Sequence, residues 1–392
     1  MNQIKNLAIV FMIGIIASSC GQKHNLSAEI EDLGNDTIFV EYAPVSQFYE
    51  MEEPLRDTII SVNGKFIYDS PLNEPILAFI FPKKGAFTRV TGSQYRPQHK
   101  YLVLLIKPND RLTINGRLHK FYLDYEVKGS DFNENYSRLR KGYIKEVSLG
   151  AKIELQLDTL MANKGDKEQI NNLFKERRKA NAIAGTKQLE YIKNNLNAEL
   201  SAFYLTRQSL DTLAKYYENL DREIKNGIFK NMLESQHLRF QKYTKVREAE
   251  KNIVEGKIAP NFSLKTLSGS DFELNSIQGK YVVLDFWGSW CGWCIKGFPK
   301  MKEYYNKYKA QVEIIGVACS DTEDKWKKSV EENELNWLQV INDKDINKDV
   351  SVMYAVQGYP TKIILDKDKK IIAKFIGESD DFYEKLDELM KN

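Results

Sequence analysis

"VVLDFWGSWCGWCIKGFP", residues 282–299, is the stretch that decides the fold of the C-terminal part of this chain. It begins with an apolar, strand-like run, places two cysteines two residues apart, and continues into a lysine-bearing segment with helical character. Cys291 and Cys294 are therefore predicted to lie where a strand ends and a helix begins. A pair with this spacing is a redox reagent, half of a zinc site or a structural staple, and its surroundings must distinguish the three.

Strands and helices alternate in the sequence around this motif. A helix is predicted from about Cys294 to Tyr308, followed by a strand, a helix near Trp326 and another strand. After Pro360 the order changes to two consecutive strands and a closing helix from about Asp381. Strands that are apolar on both faces indicate a sheet with helices on each side. We therefore expect an α/β domain over residues 256–392.

Two further regions are predicted before that domain, because 392 residues are too many for one compact core. Residues 20–130 read as short strands and turns, among them an Asn63-Gly64 pair typical of hairpins, and predict an antiparallel β domain. Residues 131–255 predict a helical connector. Apolar residues recur there at helical spacing, as in Leu213, Tyr216, Tyr217 and Leu220.

The first twenty residues predict a removable export signal. Lys5 gives the segment a positively charged N-terminal region. The apolar stretch from Leu7 to Ile16 is too short to span a membrane as a mature helix. Small residues then precede Cys20, so residues 1–19 resemble a bacterial lipoprotein signal, with lipid expected on the Cys20 sulfur. The alternative is an ordinary secretory signal with an incidental cysteine. Both interpretations predict export to a compartment where disulfides persist.

Charge and cysteine content exclude several classes of function. A net charge of +3 with 28% charged residues is nearly balanced, so no nucleic-acid partner is expected. A zinc site needs four ligands, but in the mature domain only Cys319 remains beside the pair, and the four histidines show no paired spacing. We therefore expect no metal, and we expect Cys319 to be a small buried residue at the end of a strand.

The position of the cysteine pair favours thiol chemistry. The first cysteine of a helix lies near unpaired backbone N–H groups and the positive end of the helix dipole, which favour its thiolate. Cys291 is thus the expected nucleophile, and Cys294, one turn along, would resolve the mixed disulfide. The redox group would be the Cys291–Cys294 disulfide itself, with no added cofactor.

Asp285 lies in the apolar strand, six residues before Cys291. Burial there would favour its neutral form and suit it to exchange a proton with Cys294 during resolution. The alternative is an aspartate exposed to water at the end of the strand. Lys280 and Lys296 are the cations expected to compete for its charge.

Three features, in order along the chain, resemble the thioredoxin superfamily. They are DFWGSWCGWC, a proline five residues after Cys294, and GYPTKIILD some 65 residues further on. The segment APNFSL with a following hairpin points to the exported TlpA-like and ResA-like branch, and the resemblance covers residues 256–392. The layout of the whole chain also looks like the multidomain TlpA-like lipoproteins of Bacteroidetes.

The resemblance implies roles for individual residues. Asp285 matches the buried acid of thioredoxin, and Pro360 matches the cis-proline beside the cysteine pair. The backbone of Tyr359 would then pair with an extended substrate segment, and its side chain would touch both sulfurs. Pro299 would kink the helix that carries Cys294.

The residues between and beside the cysteines depart from the common pattern. Gly292-Trp293 replaces the usual Gly-Pro or Pro-Pro, and central residues influence cysteine acidity, so no relative's reduction potential is transferable. Trp293 and Trp290 are predicted to form an apolar docking surface, with simple packing as the alternative.

The resemblance implies a thiol-disulfide oxidoreductase, anchored by lipid in the cell envelope and facing the periplasm, at the inner or the outer membrane. Members of this branch take electrons from a membrane thiol transporter and reduce exported proteins, including apocytochromes, so these are the expected partners. One alternative is a peroxiredoxin-like peroxidase, although Gly288 stands where that family has a threonine. The other is a non-catalytic envelope binding lipoprotein with a redox-silent cysteine pair.

Overall fold

The computed structural model describes residues 24–391, and the chain divides into two compact units, Met1–His237 and Leu238–Asn392. The export signal predicted at residues 1–19 and the lipidation predicted at Cys20 lie outside the described residues. Within the described range, no helix is both long enough and apolar enough to cross a membrane.

Ten strands open the described part of the N-terminal unit, which confirms the β-rich region predicted there. They form two four-stranded sheets, in the orders β10-β9-β1-β4 and β3-β2-β5-β8, and a ribbon of β6 and β7. The strands are β1 (Leu26–Glu31), β2 (Asp36–Pro44), β3 (Leu55–Ser61), β4 (Lys65–Tyr68), β5 (Ile76–Pro82), β6 (Phe87–Thr88), β7 (Gln94–Tyr95), β8 (Leu102–Ile106), β9 (Leu112–Leu118) and β10 (Leu123–Lys128).

One pairing in this unit departs from the predicted antiparallel arrangement. Strands β1 and β9 run parallel, with Leu26 opposite Leu112. Parallel neighbours need a long crossover connection, and here the chain between them builds the second sheet before it returns. The predicted turn at Asn63-Gly64 forms between β3 and β4, with both residues at positive φ, 50° and 80°. Glycine suits the second position, because a Cβ there would lie 2.5 Å from the Ile30 carbonyl oxygen.

Eight helices follow, as the periodicity of the middle region predicts. They are α1 (Asp131–Lys141), α2 (Ile144–Val147), α3 (Leu149–Ala162), α4 (Lys167–Asn194), α5 (Glu199–Leu205), α6 (Leu210–Tyr217), α7 (Arg222–Lys225) and α8 (Lys230–Ala249). Because α6 ends at Tyr217, the face predicted to include Leu220 is shorter than expected. The C-terminal part of α8, from Leu238, belongs to the second unit, where its Val246 is buried in the core.

The second unit has the α/β architecture expected for a thioredoxin-like fold. Its seven-stranded sheet has the order β12-β11-β15-β14-β13-β16-β17. The strands are β11 (Ser263–Thr266), β12 (Asp271–Glu273), β13 (Tyr281–Trp287), β14 (Val312–Ala318), β15 (Leu338–Ile341), β16 (Thr361–Leu365) and β17 (Ile371–Ile376). The helices are α9 (Gly292–Tyr308), α10 (Glu323–Glu332), α11 (Val350–Met353) and α12 (Asp380–Lys391).

The interior strand β13 positions the functional residues. It is parallel to β14 on one side and antiparallel to β16 on the other, and its residues are buried almost throughout. Val283 and Trp287 pack into the same hydrophobic cluster as the two cysteines. Successive side chains of a strand point to opposite faces, so Asp285, between these two residues, also lies on the face that α9 covers.

Candidate active site

The two cysteines of the motif form a disulfide at the start of α9, with Sγ atoms 2.04 Å apart. Cys291 is the N-cap residue of the helix, and its Sγ accepts a hydrogen bond from the Cys294 N–H at 3.2 Å. The helix begins at Gly292, two residues before the predicted start, because Cys291 caps it. Both cysteines are nearly buried, with 6% and 3% of their surface exposed. When the pair is reduced, this position favours a thiolate at Cys291.

Aromatic side chains surround the disulfide on the protein surface. Trp290 is 54% exposed and Trp293 is 66% exposed, unusually high values for such large apolar side chains. The Trp290 indole Nε1 donates to the Cys319 carbonyl oxygen at 3.1 Å, while the Lys296 ammonium lies 4.6 Å from the centre of the Trp293 ring. Gly292 between the cysteines leaves open space above the backbone. The arrangement offers an apolar surface to an approaching partner.

The loop that carries Trp290 is held by an aspartate that sequence reasoning missed. Asp321 accepts from the Ser289 backbone N–H at 2.8 Å and from the Ser289 hydroxyl at 2.5 Å. A Cβ on Gly288 would lie 2.5 Å from Trp290 Nε1, so glycine is needed for this packing. The signal for Asp321 is its place shortly after the end of β14, beyond Cys319 and Ser320, at the sheet edge where β13 also ends.

The Tyr359-Pro360 peptide bond is cis and leads directly into β16. The Tyr359 ring meets the Trp290 ring edge to face, with centroids 5.2 Å apart, and it packs against the cluster that contains both cysteines. Burial raises the pKa of Tyr359, so its hydroxyl stays protonated. The structure thus brings together the cysteine motif, Tyr359 and Pro360, while the roles of these residues stay predictions.

Asp285 is buried, not exposed to water at a strand end. Burial raises its pKa above the ordinary value of 3.8; the Lys362 ammonium opposes this change, and the Glu378 carboxylate adds to it. The nearby cation is Lys362, the cross-strand partner of Asp285, and not either of the two lysines expected from the sequence. Lys280 pairs with Glu313, and Lys296 lies over Trp293.

Cys319 is a buried free thiol at the end of β14, as the sequence predicts. Burial raises its pKa to about 12, so it stays protonated and unreactive at neutral pH. Within residues 24–391, no three histidine, cysteine or acidic side chains are grouped so that they could hold a metal ion.

In a comparison with known proteins, residues 256–374 match the AhpC/TSA family. Thiol-disulfide oxidoreductase ResA of Bacillus cereus (strain ZK / E33L) is 41% identical over 124 residues, which cover 31% of this chain and 70% of the relative. ResA of Bacillus subtilis (strain 168) is 32% identical over 136 residues, covering 34% and 74%. A solved thioredoxin domain of a thiol-disulfide oxidoreductase from Bacteroides vulgatus is 37% identical, with a TM-score of 0.33 over 35% of this chain and 97% of that one.

Proposed function

Since this chain belongs to the ResA family of thiol-disulfide oxidoreductases, we propose that its Cys291–Cys294 pair reduces disulfides of exported proteins. The observation that carries the proposal is the disulfide at the N-terminus of α9, framed by two exposed tryptophans. A dithiol at a helix start is a source of two electrons, and exposed aromatic rings beside it give a protein client something to bind.

The proposed reaction begins with the reduced pair. The Cys291 thiolate attacks one sulfur of a client disulfide, forms a mixed disulfide and releases the other client sulfur as a thiolate. The Cys294 sulfur then attacks Cys291 Sγ and expels the second client thiolate, so the client gains two electrons and the enzyme is left with the disulfide seen here. In this scheme Asp285, on the face that α9 covers, accepts the Cys294 proton.

The residues around the pair have binding roles in this proposal. Trp290, Gly292 and Trp293 would form the surface on which the client rests, and the backbone beside Tyr359 and Pro360 would pair with an extended client segment. The exposure of both indoles and the open space above Gly292 support the first role. The second role follows from the resemblance to thioredoxins.

The cellular setting is also part of the proposal. A lipid on Cys20 would anchor the protein in the cell envelope, where it faces the periplasm, and a membrane thiol transporter would reduce it again. Its clients would be exported proteins with accessible disulfides, apocytochromes among them. The export signal predicted for residues 1–19 and the family membership support this setting.

A peroxidase is the rival suggested by the AhpC/TSA family match. That activity would need a hydroxyl-bearing residue three positions before Cys291, where Gly288 stands. A side chain at this position would collide with the Trp290 indole, since its Cβ alone would approach Nε1 to 2.5 Å. The geometry therefore favours disulfide exchange over peroxide reduction.

The test is a redox titration of the full chain, followed by tryptophan fluorescence in glutathione or dithiothreitol buffers. A potential near the roughly −270 mV of thioredoxin supports a reductase, whereas one near the roughly −120 mV of a strong oxidant reverses the direction of electron flow. If the pair does not titrate, the protein is a binding protein with a redox-silent disulfide, and the proposal fails.

A further inference from the structure

Three charged side chains meet beneath α9, on the same side of the sheet as the disulfide. Asp285 belongs to β13, Lys362 is its cross-strand partner on β16, and Glu378 lies in the loop between β17 and α12. The Asp285 and Lys362 side chains are almost fully buried, whereas the Glu378 side chain is 19% exposed. Two carboxyl groups thus compete for one buried ammonium.

The distances show which carboxyl group holds the ammonium. Lys362 Nζ lies 2.7 Å from Glu378 Oε2 but 3.7 Å from Asp285 Oδ1. The first is a charge-assisted hydrogen bond, and the second exceeds hydrogen-bonding distance. Among residues 24–391, no group donates a hydrogen bond to the buried Asp285 Oδ1. A buried carboxyl oxygen that accepts no hydrogen bond lowers the stability of the folded protein. The placement of Lys362 away from Asp285 Oδ1 therefore needs an explanation.

Neighbouring residues fix the Glu378 carboxylate in place. Its Oε1 accepts a hydrogen bond from the Tyr383 hydroxyl at 2.7 Å. Its Oε2 lies against the backbone of α9 at Gly297, where an added Cβ would approach it to 2.4 Å. Gly297 follows Cys294 by about one helical turn, so this glycine lets the carboxylate reach the interior beside the cysteine pair.

We propose that Glu378 is a positioning residue that holds the Lys362 ammonium away from Asp285, so that Asp285 keeps the basicity it needs to take the Cys294 proton. This inference rests on the proposed function, in which Asp285 is the proton acceptor. During resolution the proton leaves the Cys294 sulfur for the Asp285 carboxylate. The electron pair left on that sulfur forms the bond to Cys291, and the client thiolate departs.

The electrostatic consequence follows from the groups that face Asp285. They are Lys362 from β16, Glu378 from the loop and Tyr383 from α12; β14 places the uncharged Gly316 opposite, and α9, which covers this face of the sheet, carries Cys294. Neutralising Glu378 would release Lys362 toward Asp285. A cation at hydrogen-bonding distance lowers a carboxyl pKa by about 1 to 3 pH units, which makes Asp285 a weaker base.

The test follows the two steps of exchange separately in the full-length reduced protein. Ellman's reagent releases one thionitrobenzoate when Cys291 attacks it and a second when Cys294 resolves the mixed disulfide. The rate of the second release is measured by stopped flow across pH. We expect Glu378→Gln to move the acidic limb of this profile about 1 pH unit toward lower pH and to lower its plateau, with the first release unchanged.

Three further variants make the outcome decisive. Glu378→Asp should fall between the wild type and Glu378→Gln, and Glu384→Gln, an exposed change on the neighbouring helix α12, should leave the profile unchanged. Gly297→Ala displaces the carboxylate without removing its charge and should shift the profile in the same direction as Glu378→Gln. It keeps the test available if Glu378→Gln does not fold.

The Asp285→Asn background separates this inference from the proposed function. If Asp285→Asn alone leaves the second release unchanged, Asp285 is not the proton acceptor and the positioning role of Glu378 fails with it, while disulfide exchange by the cysteine pair stands; a wild-type protein that shows no second release at all would instead overturn the proposed function. If Asp285→Asn slows that release but Glu378→Gln has no effect in the wild-type background, only the positioning role fails. A change caused by Glu378→Gln that persists in the Asp285→Asn background would mean that Glu378 acts on the thiols directly, which also overturns the inference.

Discussion

Trp290 and Tyr359 meet edge to face with ring centroids 5.2 Å apart, so the segment before the reactive cysteines touches the segment before Pro360. The Trp290 indole also donates to the Cys319 carbonyl, which fixes its orientation. Trp293 lies under the Lys296 ammonium and is the more exposed of the two indoles. The two tryptophans should therefore respond differently to substitution.

Trp293→Ala should weaken the binding of protein clients while leaving exchange with a small disulfide unchanged. An exposed indole buried by a client commonly contributes about 1.4 kcal/mol or more, which is a tenfold rise in KM. Steady-state kinetics with a disulfide-containing protein and with Ellman's reagent check this. Equal effects on both substrates would show that Trp293 supports the site instead of binding the client.

Trp290→Ala is expected to lower the rate with both substrates. Its ring packs on Tyr359 and its Nε1 bonds the chain at Cys319, so its removal loosens the loop before Cys291. Trp290→Phe, which keeps the ring contact and loses the hydrogen bond, should retain more of the activity. A Trp290→Ala variant that loses activity only with protein clients would assign this residue to client binding alone.

Substitution of Cys291 and substitution of Cys294 should have different effects on disulfide exchange. Cys291→Ser removes the expected nucleophile and should abolish exchange, whereas Cys294→Ser should leave Cys291 trapped in mixed disulfides. Non-reducing electrophoresis of each variant after incubation with an oxidised protein client measures this. Covalent adducts on Cys291→Ser but not on Cys294→Ser would reverse the assigned roles.

The sequence was sufficient for the elements that carry the chemistry, because strand β13 and helix α9 have strong local patterns. Their junction at Cys291 and Cys294 is a local property. The sequence was not sufficient to identify the partner of Asp285. Lys362 comes to lie near Asp285 only through the antiparallel register of β13 and β16. Such a register depends on the packing of the whole sheet.

Two other features were hidden for the same reason. The parallel pairing of β1 and β9 depends on the long connection between them. The residues of the two strands show no pattern that indicates this pairing. The end of α8 reads as part of the helical region, yet it packs in the second unit, where Val246 joins the core. Both are decided by contacts between segments that are distant in the sequence.

Asp285→Asn should change how stability depends on pH. Burial raises the pKa of Asp285 in the native protein, so the native state binds this proton more tightly than the unfolded chain does. The free energy of unfolding therefore falls as pH rises from about the ordinary value of 3.8 through the raised value, by roughly 1.4 kcal/mol for each pH unit that separates the two pKa values. The amide does not titrate, so the variant should lack this fall and be the more stable protein at neutral pH.

Urea unfolding between pH 3 and pH 8 measures this difference. All five tryptophans of the chain lie at positions 287 to 337, so fluorescence reports on the second unit alone. Stability curves that stay parallel for the wild type and Asp285→Asn across this range would show that Asp285 titrates normally in the native protein.

Lys242→Met should destabilise the second unit through Asp349. Lys242 lies on α8, before the family-matched residues, and its Nζ is 2.7 Å from Asp349 Oδ2. Burial acts to raise the pKa of Asp349, but hydrogen bonds from Lys242, Ser351 and Asn342 outweigh it and hold the pKa below 3.8. Because Lys242 is partly exposed, we expect a loss of about 1–2 kcal/mol, less than for a fully buried pair.

The sign of the pH effect is opposite to that for Asp285. A depressed carboxyl pKa gives stability that is present above the ordinary value and is lost as pH falls through the native value. The difference between wild type and Lys242→Met should therefore be largest near neutral pH and shrink in acid. Lys245→Met is the matched control, since this lysine on the same helix bonds the neutral amide of Asn347 and should cost under about 0.5 kcal/mol. Equal losses for both lysines, or a difference that does not shrink in acid, would mean that the ion pair to Asp349 is not what ties α8 to the second unit.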